Sequence, residues 1–263
     1  MAIYNIGATL GGTTPPYATL VGYMNTKSSW ANIISTDGNY SGPGTPAVMF
    51  GWGGGDGDLP WIGPLYHVDM VFNLSSLGSK VITAATITMT TNSTTPMNWF
   101  YGVDAWAGIA LVGQDETYRV GTTPATDDYK AIYQGRTNEF AQRITRNELI
   151  GSTSHTFTFN SAGLAYLNTV NTKGLWTNYA CLGICYGAIV DGGMPNLSIP
   201  SGSEVAAYFP AITLNLTTGA SFGQLNIGDA WKDIEEVKIN IGDTWKDVEE
   251  WKINIGDVWK DPI

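Results

Sequence analysis

The chain has 263 residues, enough for one large domain plus an appendage, with 14% charged residues and a net charge of −10. That acidic balance opposes binding to a nucleic-acid backbone, and no segment approaches the ~20 consecutive apolar residues of a membrane helix. Thirty-two glycines, ten tryptophans and 12% aromatics suit strands, turns and aromatic surfaces rather than helices.

The first residues, Met1 to Gly7, carry no basic region and no apolar run, so the expectation is a protein made in a cytoplasm without a secretion signal. Residues 1–65 read as a Gly/Pro-rich extension with the first strands of the head, at Tyr17–Met24, Trp30–Ile34 and Ala47–Phe50. The run Gly51-Trp52-Gly53-Gly54-Gly55-Asp56-Gly57-Asp58 lacks the Lys-Ser/Thr of a phosphate-binding loop. Asp56 and Asp58 together admit a Ca²⁺ ion, while a solvated turn would use the same residues for their backbone freedom; no other cofactor is expected.

Residues 66–220 read as the main β-sandwich. His67–Leu74 is an apolar strand, Ser75–Lys80 a turn, and Val81–Thr90 an alternating strand. In the last of these, Ala85, Ile87 and Met89 point one way while Thr86, Thr88 and Thr90 point the other, as in a half-buried antiparallel strand. Asn138–Arg146 carries the pattern of a short helix. Tyr179–Tyr186 reads as a strand holding two buried thiols, Cys181 and Cys185, since four residues along a strand exceed the reach of a disulfide.

The two histidines, His67 and His155, fall in or beside strands, where a hydrogen-bonded structural role is the expectation. Carboxylates are present at Asp104, Asp115, Glu116, Asp127, Asp128 and Glu139, but no spacing marks a catalytic pair, and no zinc or nucleophile motif occurs. The expectation is a protein without catalytic residues. Trp52, Trp61, Trp99 and Trp106 are candidates for stacking on a glycan, and equally for the core.

Phe72-Asn73-Leu74-Ser75-Ser76-Leu77 followed by Ile82-Thr83-Ala84-Ala85-Thr86-Ile87 resembles a phrase of the DNRLRE-like jelly-roll domains of bacterial and phage surface proteins, with Asn73 where that family usually has Asp. Thr156–Leu167 resembles the same family's strand followed by a short helix, and Phe209–Leu216 its final strand. The resemblance covers roughly residues 65–217 and implies a jelly-roll-like scaffold.

Residues 224–263 say one phrase three times, as Asn226-Ile227-Gly228-Asp229-Ala230-Trp231-Lys232-Asp233, Asn240-Ile241-Gly242-Asp243-Thr244-Trp245-Lys246-Asp247, and Asn254-Ile255-Gly256-Asp257-Val258-Trp259-Lys260-Asp261. The period is 14 residues, and each unit reads as a supersecondary element that cannot bury its apolar face alone. With Gly242-Asp243 at the centre of a tight turn, Ile241 faces Thr244, Asn240 faces Trp245, Ile239 faces Lys246 and Val237 faces Val248. A second turn at Glu249-Glu250 would pair Val248 with Trp251 and continue the ribbon as a meander. Packing or oligomerisation is expected to use Ile227, Trp231, Ile239, Ile241, Trp245, Trp251, Ile253, Ile255 and Trp259.

The repeat resembles the Asn-Ile-Gly-Asp-x-Trp-Lys repeats at the C-termini of tailed-bacteriophage virion proteins, over residues 224–261. That resemblance implies a fibre, decoration or tail-tip subunit located in the virion. Its expected partners are copies of itself, a trimer being favoured, other virion proteins and a host surface glycan; nucleic acid and membrane are not expected. The alternatives are a cellular carbohydrate-binding module or adhesin, and a glycan hydrolase. The fold expected is all-β, a jelly-roll-like antiparallel sandwich followed by a repetitive β-hairpin or meander segment.

Overall fold

Period-two alternation of apolar and hydroxyl side chains is the local instruction from which the head is built. The computed structural model describes residues 2–23, 37–38, 40–42, 46–53, 61–78, 80–91, 108–119, 121–145, 148–149, 152–172, 177–187, 204–219, 224–227, 230–233, 238–241, 244–247, 253–255 and 258–260. The chain is all-β, with a β-sandwich head and a C-terminal series of hairpins.

One sheet contains β1 (Ala2–Gly7), β12 (Ala211–Thr218), β7 (Ile82–Thr90) and β9 (Ser154–Thr158), antiparallel in that order. The second has eight strands, with β11 (Glu204–Tyr208), β5 (Ala47–Gly53), β6 (Trp61–Asn73), β10 (Tyr179–Tyr186) and β8 (Ile109–Gly113) in that order. Beside β6 in that sheet lies β3 (Tyr17–Tyr23), which also pairs with β4 (Tyr40–Gly42) and, in parallel, with β2 (Thr9–Leu10). Both sheets therefore take strands from residues 1–65 as well as from later in the chain.

In β7, Ala85, Ile87 and Met89 are buried while Thr86 and Thr88 are half-exposed and Thr90 exposed, as the alternation requires. Ile212, Leu214 and Leu216 of β12 and Phe157 of β9 bury from the same sheet, joining Val68, Met70 and Phe72 of β6 in one continuous core. A chain phrase of alternating Thr and aliphatic residues thus becomes a wet face and a dry face of one strand.

Two helices of more than one turn complete the head among the described residues. The first, α1 (Asp127–Gly135), packs against β3, β6, β8 and β10 with Tyr129 and Ile132 fully buried. It sits so close that a Cβ on Gly183 would lie 2.8 Å from Ile132, and one on Gly135 would run into the Gly113 carbonyl oxygen. The second, α2 (Ser161–Thr172), begins at Asn160, whose Oδ1 accepts the Gly163 N–H at 2.9 Å as an N-cap. It touches both sheets: Asn168 bonds the backbone of Ile82, and the Tyr166 hydroxyl bonds the backbone of Cys181. The turn between β6 and β7 is a 3₁₀ turn at Ser75–Leu77, entered through Asn73, whose Oδ1 accepts the Ser75 N–H at 2.9 Å.

The helix expected at 138–146 is not there. Glu139, Ala141 and Ile144 instead make isolated bridges to Val112, Phe159 and Ile109, because the open edge of β8 supplies backbone partners that a short, polar helix could not match. The helix lies earlier, where Asp128, Tyr129 and Ile132 form a buried stripe at helical spacing.

The tail is three hairpins, each its own two-stranded sheet: β13 (Gln224–Ile227) with β14 (Ala230–Asp233), β15 (Lys238–Ile241) with β16 (Thr244–Asp247), and β17 (Ile253–Ile255) with β18 (Val258–Lys260). The register of the middle hairpin is the one its turn chemistry requires: Ile241 opposite Thr244, Asn240 opposite Trp245, Ile239 opposite Lys246. The first and third repeat that register. Among the described strands no hairpin pairs with the next, and the expected Val248–Trp251 step of a continuous meander lies outside the described residues.

Candidate functional site

Among the described residues three places gather chemistry, and they differ in what can reach them. The first lies between α1 and the outer face of the eight-stranded sheet. Alternation along β6 sends His67, Asp69 and Val71 to that face, beside Val21, Thr19 and Tyr17 of β3. The loop after β8 brings Gln114 and Arg119, and α1 brings Asp128. Tyr17 and Asp128 are fully buried and Arg119 is 3% exposed.

Arg119 is the hub of this cluster. Its Nη1 donates to Asp69 Oδ1 at 2.9 Å and to Gln114 Oε1, and lies 3.3 Å from Asp128 Oδ1. Its Nη2 donates to the Tyr17 hydroxyl at 2.6 Å, and its Nε to the Gly121 carbonyl at 2.6 Å. Tyr17 in turn donates to Asp69 Oδ2 at 2.8 Å, while Gln114 Nε2 donates to Asp69 Oδ1 and to the Leu182 carbonyl. Burial would by itself lower the pKa of the guanidinium, but Asp69, helped by Cys181, Tyr17 and Asp128, more than reverses this and holds it well above its ordinary value. Burial, then the charge of Asp69, pushes the Asp128 carboxyl up to about 8. At neutral pH Asp128 is therefore held mostly in its neutral form beside the Arg119 cation.

His67 departs from expectation. Neither ring nitrogen has a hydrogen-bond partner; the ring is fully buried and stacks on Tyr129, with centroids 5.0 Å apart and planes 12° from parallel. Burial drives its pKa down to about 3, so the imidazole is neutral and packs as an aromatic. Every group in this cluster is closed to solvent, so its acid and base act on the fold: they pin α1 and residues 114–126 to the sheet.

The second place is a shallow cavity of about 370 Å³ lined by Ile144, Glu148, Ser152, Ser154, His155 and Thr156. His155 Nε2 lies 3.0 Å from Thr91 Oγ1, a structural hydrogen bond of the expected kind. Burial lowers the His155 pKa against the opposing pull of the Ser152 backbone and Glu148. Glu148 is occupied in accepting the Thr145 N–H at 2.6 Å and hydroxyl at 2.8 Å, which hold its carboxyl below the usual range.

Among the described residues, most of the carboxylates named from the sequence make separate contacts. Glu139 pairs with Arg143 through two contacts of 2.8 Å; Asp115 Oδ1 accepts the Thr117 N–H at 2.9 Å; Asp127 Oδ1 accepts the Thr126 hydroxyl at 3.3 Å. Asp128 alone joins a second carboxylate, Asp69, and that pair is sealed under α1. Asp69, Arg119, Gln114 and Tyr17 were not singled out in the sequence. The available signal was a charged residue inside the apolar strand His67–Leu74, which is tolerated only when paired.

Asp56, Asp58, Trp99, Trp106, Asp104 and Trp251 lie outside the described residues. Among the described residues no three His, Cys, Asp or Glu side chains gather as metal ligands, and no helix is long and apolar enough to cross a membrane. Trp52 and Trp61 come to the same end of the large sheet: Trp52 is opposite Ile62 and Gly53 opposite Trp61. Cys181 and Cys185 are buried free thiols, each pushed up to about 12 by burial.

The third place is the tail. In all three hairpins the Asn and Trp of the repeated phrase are directly opposite each other, as Asn226–Trp231, Asn240–Trp245 and Asn254–Trp259. The neighbouring register pairs are Ile227–Ala230, Ile241–Thr244 and Ile255–Val258. No family model matches the chain, and no curated protein sequence is similar to it.

Proposed function

We propose that this protein is a non-enzymatic structural and interaction component of a tailed-bacteriophage virion, a fibre, decoration or tail-tip subunit that assembles with copies of itself through its C-terminal hairpins. The observation that carries this reading is the tail: three hairpins with strands of three or four residues, each alone in its own sheet. A solitary two-stranded ribbon is marginal in water, and stable structure requires more strands or a covering surface. Neighbouring subunits around a symmetry axis supply both. The resemblance of the Asn-Ile-Gly-Asp-x-Trp-Lys phrase to the C-terminal repeats of virion proteins supports the same reading, as does the sealed state of the densest acid–base cluster in the head. A trimer is the expected assembly, with other virion proteins and host surface glycans as further partners.

The test is the mass of the full chain in solution, measured by light scattering at micromolar concentration. A trimer or other closed oligomer is the expected result, and a truncation ending at Gly219, after the last head strand, should be a folded monomer. A full-length chain that stays monomeric would sink the assembly claim. Release of reducing ends from surface polysaccharide would overturn the non-enzymatic one, provided it is lost on substituting a carboxylate pair.

A further inference from the structure

We infer that the hairpins of neighbouring copies meet in register, repeat one with repeat one, two with two and three with three, in parallel chains around a common axis. This inference rests on the proposed self-assembly and goes beyond it by naming the partner of each hairpin. Three observations carry it.

First, the three hairpins share a single register, down to the pair flanking the turn, at a constant 14-residue step. Docking on the head would present each hairpin with a different surface and would favour three different sequences. Identical sequences suit identical surroundings repeated along an axis. A rotation axis provides this, because it places every residue at the same height as its own counterparts in the other copies.

Second, the invariant part of the phrase exceeds what a turn demands. Gly and Asp serve the turn, but Asn, Trp, Lys and the final Asp are also kept in all three units. The positions of Asn, Trp and Lys in the ribbon are the same each time, so whatever covers them is the same each time.

Third, the one position that varies inside the phrase gives each level its own identity. Ala230, Thr244 and Val258 occupy the same register position, directly opposite Ile227, Ile241 and Ile255. A level with Ala meeting Ala has different space to fill from one with Val meeting Val, and a one-repeat slip sets Ala against Thr at one level and a Thr hydroxyl against a Val methyl at the next. Packing of this kind discriminates against slipped alternatives. Charge points the same way on what the occupant is: residues 224–263 carry five lysines against ten carboxylates, which disfavours an acidic polymer as the common partner. In-register pairing also closes, whereas a stagger of one repeat would leave unpaired hairpins at both ends and grow into open fibres.

The test uses three single variants of the full chain, Ala230→Cys, Thr244→Cys and Val258→Cys, with the buried Cys181 and Cys185 left in place. Each variant is oxidised and its covalent products are separated under denaturing conditions; pairs of variants are also unfolded, mixed, refolded and oxidised together. The expected result is interchain disulfide within each variant, 230 to 230, 244 to 244 and 258 to 258. In the mixtures, products joining 230 to 244 or 244 to 258 should stay at least tenfold rarer than same-site products. Mixed-site products as abundant as same-site ones, or an oligomer in which none of the three sites links to itself, would overturn the in-register arrangement while leaving self-assembly intact. A monomeric chain by native mass spectrometry would instead remove the assembly on which it rests. Three independent sites guard against one variant failing to fold.

Discussion

The buried pair His67 and Asp128 should write a distinctive pH profile into the stability of the head. His67 has its pKa lowered from 6.5 to about 3, and Asp128 has its pKa raised from 3.8 to about 8. Stability rises with pH wherever the unfolded chain holds more protons than the folded one, by about 1.4 kcal/mol per pH unit per proton. Between about pH 3 and 3.8 the unfolded chain holds the extra proton, on His67, so stability rises. Between 3.8 and 6.5 the unfolded chain has a protonated histidine and an ionised aspartate while the folded chain has the reverse. The counts are equal and the two contributions cancel. Between 6.5 and about 8 only the folded chain holds a proton, on Asp128, and stability falls, by about 2 kcal/mol over this window.

The profile expected is thus a plateau in mild acid with a decline toward pH 8. Substitution separates the two groups. Asp128→Asn removes the decline above 6.5 and uncovers the histidine, so that stability should climb by about 3 kcal/mol between pH 4.5 and 6.5, where the parent is flat. His67→Phe, which preserves a ring against Tyr129, should show the opposite: a steady fall from about pH 4 to 8. Urea unfolding of the three proteins at half-unit pH intervals measures this, and differences between profiles cancel the exposed carboxylates common to all. A parent protein that is more stable at pH 8 than at 6.5, or an Asn variant with the parent's decline, would refute the charge assignment of the buried cluster.

Three further outcomes follow from the packing. Replacing Arg119 with Met should cost about 3–5 kcal/mol in urea unfolding, because Asp69 is left buried without its cation; a loss below about 1 kcal/mol would show that the guanidinium is not its counter-charge. Gly135→Ala should destabilise by about 1–3 kcal/mol or more, since the new methyl meets a backbone carbonyl that cannot turn aside, whereas Gly7→Ala, with open space around it, should stay within about 0.5 kcal/mol; equal thermal shifts for the two would refute the close seating of α1. Cys181 and Cys185 should resist a thiol reagent at pH 8 in the native protein and both react in denaturant, because burial raises each pKa to about 12; labelling of the native chain at the rate of a free thiol would contradict their placement.

Much of the scaffold was readable from the chain because its signals are local. Thr86, Thr88 and Thr90 against Ala85, Ile87 and Met89 define a strand's two faces with no help from elsewhere. Tyr179–Tyr186 forms the strand that its apolar residues predict. The hairpin register of the tail came from one assumption, a two-residue turn at Gly242-Asp243, and the pairing of Asn240 with Trp245 follows from it by counting. What misled was the segment after α1: Asn138–Arg146 has a helical pattern, but the unpaired edge of β8 captured its backbone. Local preference is a weak prior beside a row of open hydrogen-bonding groups.

The amino-acid sequence alone thus determined the β class, the two-faced strands, the buried thiols and the threefold hairpin phrase, since each depends on residues within a few positions of one another. Only the tertiary structure decided the fate of the charges. Asp69 meets Arg119 across 50 residues, and Arg119 meets Tyr17 across 102, through side chains that no periodicity connects. A buried charge is tolerable only beside its counter-charge, and which counter-charge arrives is settled by how sheets and helix close over it.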